Sequence, residues 1–226
     1  MTGALTIDEF SLHDGQCTMV SESQSPAILT DIYNPTNNLV IWKRPTSETL
    51  LANIEACLKQ NPRLSITREI DVNSISTDIN KALEPFEFGT ALADNVSELV
   101  DMFCCLFDLT RAGLRLKVLE HAMCPRFHVD KVPCRLITTL YGQSGTQWLP
   151  HHLANREKLG AGNHGLPDAQ SGLYPDQDCI QSLDTFDVAL FKGEAWIGNE
   201  NAGVVHRSPP YVVGEQRLLM TLDFLS

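Results

Sequence analysis

The chain has 226 residues, 43% of them hydrophobic and 20% charged. It is therefore long enough to bury one sizeable core and too apolar for wholesale disorder. The formal net charge of −11, without a cluster of lysine and arginine, argues against a nucleic-acid partner. No apolar run reaches about 18 residues, so we expect no membrane span.

The amino-terminal segment MTGALTIDEFSLHDG has neither the basic nor the apolar region of a secretory signal. Seven cysteines are scattered at positions 17, 57, 104, 105, 124, 134 and 179, and none forms a C-x-x-C pair. An odd number without paired spacing favours reduced thiols over a disulfide framework. Together these features predict a cytoplasmic protein.

Helical patterns dominate the first half of the chain. A short apolar strand is predicted at 38–42, bracketed by turn residues. Apolar residues at helical spacing then predict a helix over 47–60 and a second over about 72–83. A third helix is predicted over about 95–109, with Asn95 as its N-cap.

From residue 113 onwards the apolar residues follow a strand-like period, as in the alternation of Leu114, Leu116 and Val118 with polar neighbours. Further strands are predicted at 125–130, 134–141, 186–192, 195–197, 203–206 and 216–224. Residues 150–180 are rich in Gly, Pro, His and Asp, which predicts a long loop or mobile lid.

Helices first and strands second, without βαβ alternation, indicate an α+β fold. Short strands with turn residues between them favour a double-stranded β-helix, a cupin-like jelly roll, over 113–226. We expect residues 1–112 to form a mainly helical segment that packs on this barrel. The two parts are predicted to make one compact unit.

His128-Val129-Asp130 and the distant His206 form a candidate metal site. A histidine and a carboxylate two apart on a strand point the same way. Two histidines and one carboxylate with open positions suit non-haem iron(II). About one His-x-acid pair is expected by chance from seven histidines and 28 acidic residues, so the motif alone is weak evidence for a metal site. Two further residues support it: His206 and, eleven positions later (206 to 217), Arg217 at the start of a strong strand.

The segment from about 125 to 224 resembles the double-stranded β-helix of the iron(II)/2-oxoglutarate dioxygenases. These enzymes carry His-x-Asp, a distal histidine, and an Arg or Lys about ten residues later. The resemblance implies that His128, Asp130 and His206 hold iron(II), or another divalent metal such as zinc or nickel. It also implies that Arg217 binds the distal carboxylate of 2-oxoglutarate, as a guanidinium fits a carboxylate with two parallel hydrogen bonds.

Most of the chain is also similar to a bacterial family known as domain of unknown function 1826. The motifs that carry this resemblance are PRFHVD, LITTLYG, GTQWLP, LFKGE, VVHRSP and RLLMTLDF. The family supplies no known reaction. Its members are often encoded near zinc-responsive genes, which implies a context of metal homeostasis.

The chain departs from the dioxygenase pattern at Leu219, where many such enzymes place a serine that bonds the same carboxylate as the anchoring arginine. Thr139, Tyr141 or Thr221 could substitute. We therefore expect Thr139 and Tyr141 to join Arg217 in binding the co-substrate.

Four further residues are candidates for supporting the metal ligands or contacting the substrate: Arg126, Arg135, Trp148 and Arg207. Arg126 and Arg135 flank the His-x-Asp motif, so either could bind substrate, bond to Asp130 or form a structural ion pair. Trp148, like Trp196, could line the mouth of a pocket, but a packing role is favoured for both.

Three loop histidines, His151, His152 and His164, could hold a second metal, but solvated side chains are the favoured interpretation. Lys192 and Glu194 are predicted to form a surface pair at the end of a strand.

A rival hypothesis is a non-catalytic metal-binding protein on a cupin-like scaffold. Cys124 and Cys134 bracket His128, and thiolates prefer zinc, although the spacing fits no usual zinc ribbon. A third possibility is a jelly roll without a metal that acts through protein partners. If the chain is an enzyme, its substrate is a small molecule or a peptide. The sequence leaves the oligomeric state open.

Overall fold

The structure is a computed structural model that describes residues 19–86 and 88–225. Cys17, one of the predicted thiols, lies outside these residues. The six cysteines inside them are free, which agrees with the prediction of reduced thiols. Within the described ranges, no helix is long and apolar enough to cross a bilayer.

Strands from both halves of the chain build the fold. In chain order they are β1 (Met19–Ser23), β2 (Asn37–Trp42), β3 (Ser65–Asp71), β4 (Arg111–Leu119), β5 (Cys134–Tyr141), β6 (Gln147–Leu149), β7 (Gln181–Ser182), β8 (Val188–Lys192), β9 (Val205–Arg207) and β10 (Arg217–Phe224). A seven-stranded sheet has the order β1-β2-β8-β5-β10-β4-β3, and a three-stranded sheet has the order β7-β6-β9. The structure is therefore a mixed α and β protein dominated by one large sheet.

The three predicted helices are present as α1 (Glu48–Gln60), α2 (Ile75–Leu83) and α3 (Thr90–Phe107). The predicted cap of α3 is wrong, because the helix begins five residues before Asn95 at Thr90, with Gly89 as N-cap. Asn53 of α1 explains the difference, since its Oδ1 accepts a hydrogen bond from the backbone N–H of Ala91. The cap thus comes from another helix, where a local pattern gives no sign of it.

The large sheet separates two environments through the alternation of its side chains. On β10, Leu218, Met220 and Leu222 pack into the core shared with the helices. Leu219 packs on the opposite face, in a second cluster with residues such as Ile137 and Phe191. Trp148 of the small sheet packs against that second cluster, so the space between the two sheets has its own apolar lining.

From β4 onwards, the chain winds between the two sheets. β4, β5, β8 and β10 belong to the large sheet, while β6, β7 and β9 belong to the small one. His128, between β4 and β5, joins the edge of the small sheet through an antiparallel bridge to His206. The chain therefore crosses from one sheet to the other four times between β5 and β10.

Several sequence predictions need correction. Residues 125–130 form a single bridge at His128 instead of a strand, and 195–197 form a turn. β1, β3, β6 and β7 were not predicted. β1, β2 and β3 lie at the two edges of the large sheet, so residues 1–112 contribute strands as well as helices and do not simply pack on a barrel.

Residues 150–180, called the cap from here on, contain short 3-10 turns and no strand, in agreement with the predicted loop. Leu173 and Tyr174 of the cap are buried against Phe127, Leu149 and Val205. These three belong to the small sheet or to the chain beside His128. The cap is therefore packed on the small sheet at these two residues, and its role as a mobile lid stays a prediction.

Candidate metal centre

The structure brings His128, Asp130 and His206 together, although they are distant in the sequence. One nitrogen or oxygen atom from each lies within 4.8 Å of the others, and this is the single such group of three among the described residues. His128 Nε2 lies 3.7 Å from Asp130 Oδ1, and His206 Nε2 lies 3.5 Å from Asp130 Oδ2. The bridge between His128 and His206 fixes this arrangement.

Both imidazole rings are oriented by the backbone. His128 Nδ1 lies 3.0 Å from the carbonyl oxygen of Arg126, and His206 Nδ1 lies 3.0 Å from that of Val204. A carbonyl can only accept, so each Nδ1 must donate and each Nε2 keeps its lone pair. The lone pairs of both Nε2 atoms are therefore available to a metal ion on the side of Asp130.

The two histidines differ in exposure. The side chain of His206 is 6% exposed and that of His128 is 35% exposed. Burial lowers the pKa of His206 well below its usual value, although the neighbouring Asp130 acts in the opposite direction. A neutral imidazole is the form that binds a metal, so His206 is held in its ligating state at neutral pH. The exposed flank of the group is the side of His128.

Asp130 is held by an arginine. Arg135 Nη1 donates to Asp130 Oδ2 at 2.6 Å, and Arg135 Nε donates to Asp223 Oδ1 at 2.6 Å. Burial alone would lower the pKa of Arg135, but its bonds to Asp223 and Asp130 reverse the shift and raise it. Of the roles considered for Arg135, the structure gives the bond to Asp130. Asp223, which sequence reasoning missed, is its direct cross-strand partner.

Gly193 allows the chain after β8 to touch the Asp130 segment. A Cβ atom at this position would lie 2.1 Å from the carbonyl oxygen of Val132 and 2.7 Å from that of Asp130. The backbone N–H of Glu194 donates to the same carbonyl of Asp130 at 3.0 Å. Only glycine fits this approach, which fixes the backbone of Asp130 as firmly as Arg135 fixes its side chain.

A second group of polar residues faces the same space without partners. Arg217 pairs with Leu119 and lies on the face of β10 that also carries Leu219. Its Nη1 is buried and has no hydrogen-bond partner in the part of the chain that the structure describes, and neither has Thr139 Oγ1 or Trp148 Nε1. Burial lowers the pKa of Arg217 to about 10, so the guanidinium is still charged at neutral pH. A buried N–H donor of a charged guanidinium that lacks a partner is unusual and indicates a place for an anion.

Tyr141 does not belong to this group. Leu218 pairs with Tyr141 but Leu219 pairs with Thr139, so Leu140 is an extra residue in β5. Such a bulge reverses the alternation. Thr139 therefore faces the second cluster, whereas Tyr141 packs against the helix-facing core. Tyr141, which was predicted to bind the co-substrate together with Thr139, therefore lies on the opposite face of the sheet from Thr139 and Arg217.

Arg207 lies on the outer face of the small sheet, because it directly follows His206 on β9. Its guanidinium lies 4.3 Å above the Phe127 ring, and its Nη1 is 3.5 Å from Asp168 Oδ2 in the cap. The backbone N–H of Phe127 donates to the same carboxylate oxygen at 2.9 Å. Arg126 reaches the cap as well, through the carbonyl oxygen of Leu166. The cap therefore braces the segments that carry both histidines.

The zinc hypothesis based on thiolates is wrong in its ligands. Cys134 is buried in the helix-facing core, where burial raises the pKa of its thiol, and Cys124 is exposed. The loop histidines form no second metal group within the described ranges. His152 and His164 are exposed, as predicted.

The predicted surface pair of Lys192 and Glu194 is wrong as well. Lys192 is 2% exposed, bonds to the carbonyl oxygen of Asn34 and lies over the ring of Trp196. Glu194 pairs with Arg156 of the cap instead. Trp196 packs among Tyr33 and Phe107, in agreement with the favoured packing role.

A family model described as a protein of unknown function, DUF1826, matches residues 23–223. The chain belongs to this family. Of the motifs noted above, PRFHVD supplies His128 and Asp130, VVHRSP supplies His206, and RLLMTLDF begins at Arg217 and contains Asp223. No curated protein sequence matches the chain.

Solved structures with a similar fold include two dioxygenases for auxin oxidation. The dioxygenase for auxin oxidation 1 from Arabidopsis thaliana, in a binary complex with 2-oxoglutarate, has a TM-score of 0.50 and 9% identity over 92% of this chain and 93% of that one. The rice dioxygenase for auxin oxidation has a TM-score of 0.49 and 10% identity over 92% and 83%. HygX from Streptomyces hygroscopicus, with nickel and 2-oxoglutarate bound, has a TM-score of 0.45 and 12% identity over 88% and 86%. At this level of identity the Arabidopsis likeness shows a shared fold alone.

The sequence analysis missed two residues, Asp223 and Asp168, for different reasons. Asp223 is an acidic residue at an inward position of β10, on the face of Leu219 and Thr221. The alternation of that strand could have identified it. Asp168 lies in an irregular loop, and no periodic pattern could have indicated that it is buried beneath Arg207.

Proposed function

We propose that the chain is a non-haem iron(II)- and 2-oxoglutarate-dependent dioxygenase of the hydroxylase type, built on a double-stranded β-helix. The winding of β4 to β10 between two sheets supports the jelly-roll part of this proposal. The fold shared with the Arabidopsis dioxygenase agrees with it.

The observation that carries the proposal is the group formed by His128, Asp130 and His206. Two imidazoles with free Nε2 atoms and one carboxylate are the donor set of non-haem iron(II) oxygenases. Zinc or nickel could occupy the same atoms. Iron(II) would supply the activation of dioxygen, which side chains alone do not perform.

The unpartnered atoms of Arg217, Thr139 and Trp148 support 2-oxoglutarate as the co-substrate. We propose that Arg217 and Thr139 bind its distal carboxylate and that Trp148 donates a further hydrogen bond. A charge-assisted hydrogen bond to a buried guanidinium is worth about 1.5–3 kcal/mol. The cost of burying Arg217 without a partner would be offset when the dianion binds.

We further propose that the substrate is a small molecule or a peptide side chain and that the protein acts in the cytoplasm. The net charge of −11 disfavours a nucleic-acid substrate, and the free thiols suit a reducing compartment. The exposed side of His128 is the proposed direction of substrate approach.

An anaerobic titration tests the proposal. We expect the iron(II)-loaded protein to develop a visible charge-transfer band when 2-oxoglutarate is added. The variant Arg217→Gln should bind iron equally well but need at least about tenfold more 2-oxoglutarate, from the loss of two charge-assisted bonds. Thr138→Val is the control, since Thr138 lies in the neighbouring strand β5 on the opposite face of the sheet and its Oγ1 is also unpartnered, so the response to 2-oxoglutarate should not change. Iron binding without any response to 2-oxoglutarate would refute the co-substrate.

A second candidate is a non-catalytic metal-binding protein in metal homeostasis. Leu219 favours it, because an apolar side chain stands beside Arg217 where a hydroxyl would strengthen a carboxylate site. On this alternative the triad binds zinc or iron tightly, and neither 2-oxoglutarate nor dioxygen alters the bound metal.

A further inference from the structure

The residues behind Asp130 form a balanced set of charges. Arg135 lies between Asp130 and Asp223 and donates to one oxygen of each at 2.6 Å. The side chains of all three are buried or nearly so, with exposures of 18%, 17% and 12% for Arg135, Asp130 and Asp223. Arg115 lies 3.9 Å from the second oxygen of Asp223, but its side chain is 57% exposed and therefore screened by solvent.

This arrangement solves a conflict. An arginine that orients a metal-binding carboxylate also brings a positive charge close to the metal and competes for the same oxygen atoms. Asp223 removes the conflict, because its negative charge compensates Arg135 at the far side of the guanidinium. The carboxylate of Asp130 can then be oriented through Oδ2, while Oδ1 and its negative charge stay available to a cation.

We propose that Arg135 and Asp223 act as a charge-neutral positioning pair for Asp130. Arg135 fixes the direction of the carboxylate, and Asp223 prevents Arg135 from neutralising it. This inference rests on the metal-binding part of the proposed function but not on 2-oxoglutarate or catalysis. It assigns Asp223 a part in metal affinity, although no metal ligand touches it.

The proposal makes an unusual prediction about a double variant. In Asp223→Asn, Arg135 loses its compensating charge and pairs with Asp130 alone, so metal affinity should fall about 10–100-fold. In Arg135→Gln/Asp223→Asn, the competing cation is gone as well. Affinity should then recover at least about threefold over Asp223→Asn, even though a second hydrogen-bonding group has been removed.

The experiment uses cobalt(II) as the probe and the full chain. Affinity is measured by competition with a chelating indicator, and the visible d–d bands report the ligand set. Arg115→Gln is the matched control, because Arg115 approaches Asp223 without touching Asp130, and its affinity should change less than about twofold. Thermal unfolding of each metal-free variant establishes that it is folded, and Arg135→Met, which also removes the positive charge, replaces Arg135→Gln in the cycle if the latter is not.

Each outcome has a consequence. A double variant that binds as weakly as Asp223→Asn, or more weakly, would mean that the pair is merely structural and would overturn the proposal. An unchanged affinity in Asp223→Asn would overturn it too. If the wild-type protein binds no cobalt(II), both this inference and the proposed metal site fail. If the pair behaves as expected but 2-oxoglutarate has no effect on the iron(II) protein, the dioxygenase proposal fails and the positioning pair stands.

Discussion

Two half-buried arginines on the same face of the large sheet have opposite surroundings. Arg135 is paired with Asp130 and Asp223, and these bonds raise its pKa although burial lowers it. Arg217 has a buried Nη1 without a partner among the described residues, and burial lowers its pKa to about 10. They stand near opposite ends of β10, because Arg217 begins the strand and Arg135 pairs with Asp223 near its end.

The difference indicates what each arginine is for. A buried cation whose hydrogen bonds are used by the protein contributes to the structure and orients its partners. A buried cation whose hydrogen bonds are unused costs stability, unless a ligand completes them. Four measurements test this difference between the two arginines.

The largest effect is expected for Arg135→Gln in the metal-free protein. Its removal leaves Asp130 and Asp223 close together in a partly desolvated site without a compensating charge. Breaking a buried ion pair in this way should lower the free energy of unfolding by about 3 kcal/mol. Urea denaturation in the presence of a chelator measures it, and a loss below about 1 kcal/mol would contradict a stabilising role.

The next effect is the stabilisation of the metal-loaded protein by 2-oxoglutarate. At a concentration about 100 times its Kd, the ligand should raise the free energy of unfolding by about 2.7 kcal/mol. Arg217→Gln, which should weaken binding at least about tenfold, should remove about half of this gain or more at the same concentration. An undiminished gain in Arg217→Gln would show that 2-oxoglutarate binds elsewhere.

A smaller effect of opposite sign is expected for Arg217→Gln without ligand. Removing an unpartnered buried charge should leave the stability unchanged or raise it by about 1 kcal/mol. The same urea denaturation measures it. Destabilisation comparable to that of Arg135→Gln would mean that Arg217 has a structural partner, and the contrast between the two arginines would disappear.

The smallest effect is expected for Arg115→Gln. Arg115 shares Asp223 with Arg135, but its side chain is 57% exposed and its Nη1 lies 3.9 Å from the carboxylate. The free energy of unfolding should change by less than about 0.5 kcal/mol, and salt at about 1 M should remove even that. A larger change would mean that Arg115 acts together with Arg135 and Asp223.

The parts of the site that sequence could predict are those that depend on local pattern. His128, Asp130 and His206 could be grouped because their spacing follows a known order, and β5, β8 and β10 because their apolar residues run continuously. The helices α1 and α2 followed from the spacing of their apolar residues. Thr139, one of the residues predicted to bind the co-substrate, pairs with Leu219 and lies on the same face of the sheet as Arg217.

The parts that failed depend on contacts between distant segments. Tyr141 was predicted to bind the co-substrate, but one extra residue in β5 turns its side chain to the other face of the sheet. Only the pairing of β5 with β10 reveals this extra residue. Lys192 was assigned to the surface because its type is usually exposed, yet the carbonyl oxygen of Asn34 and the ring of Trp196 receive it in the interior. The role of Asp223 required knowing that β10 lies beside β5.

The distance in sequence between the partners of this site has a consequence for folding. Arg135 and Asp223 are 88 positions apart, and the cap and several strands lie between His128 and His206 in the sequence. Such contacts form late, because the entropy of closing a long loop must be overcome first. A metal bound to a site that is absent from the folding transition state should slow unfolding and leave the folding rate nearly unchanged. The metal-loaded protein is therefore expected to owe its stability to slow unfolding and not to fast folding.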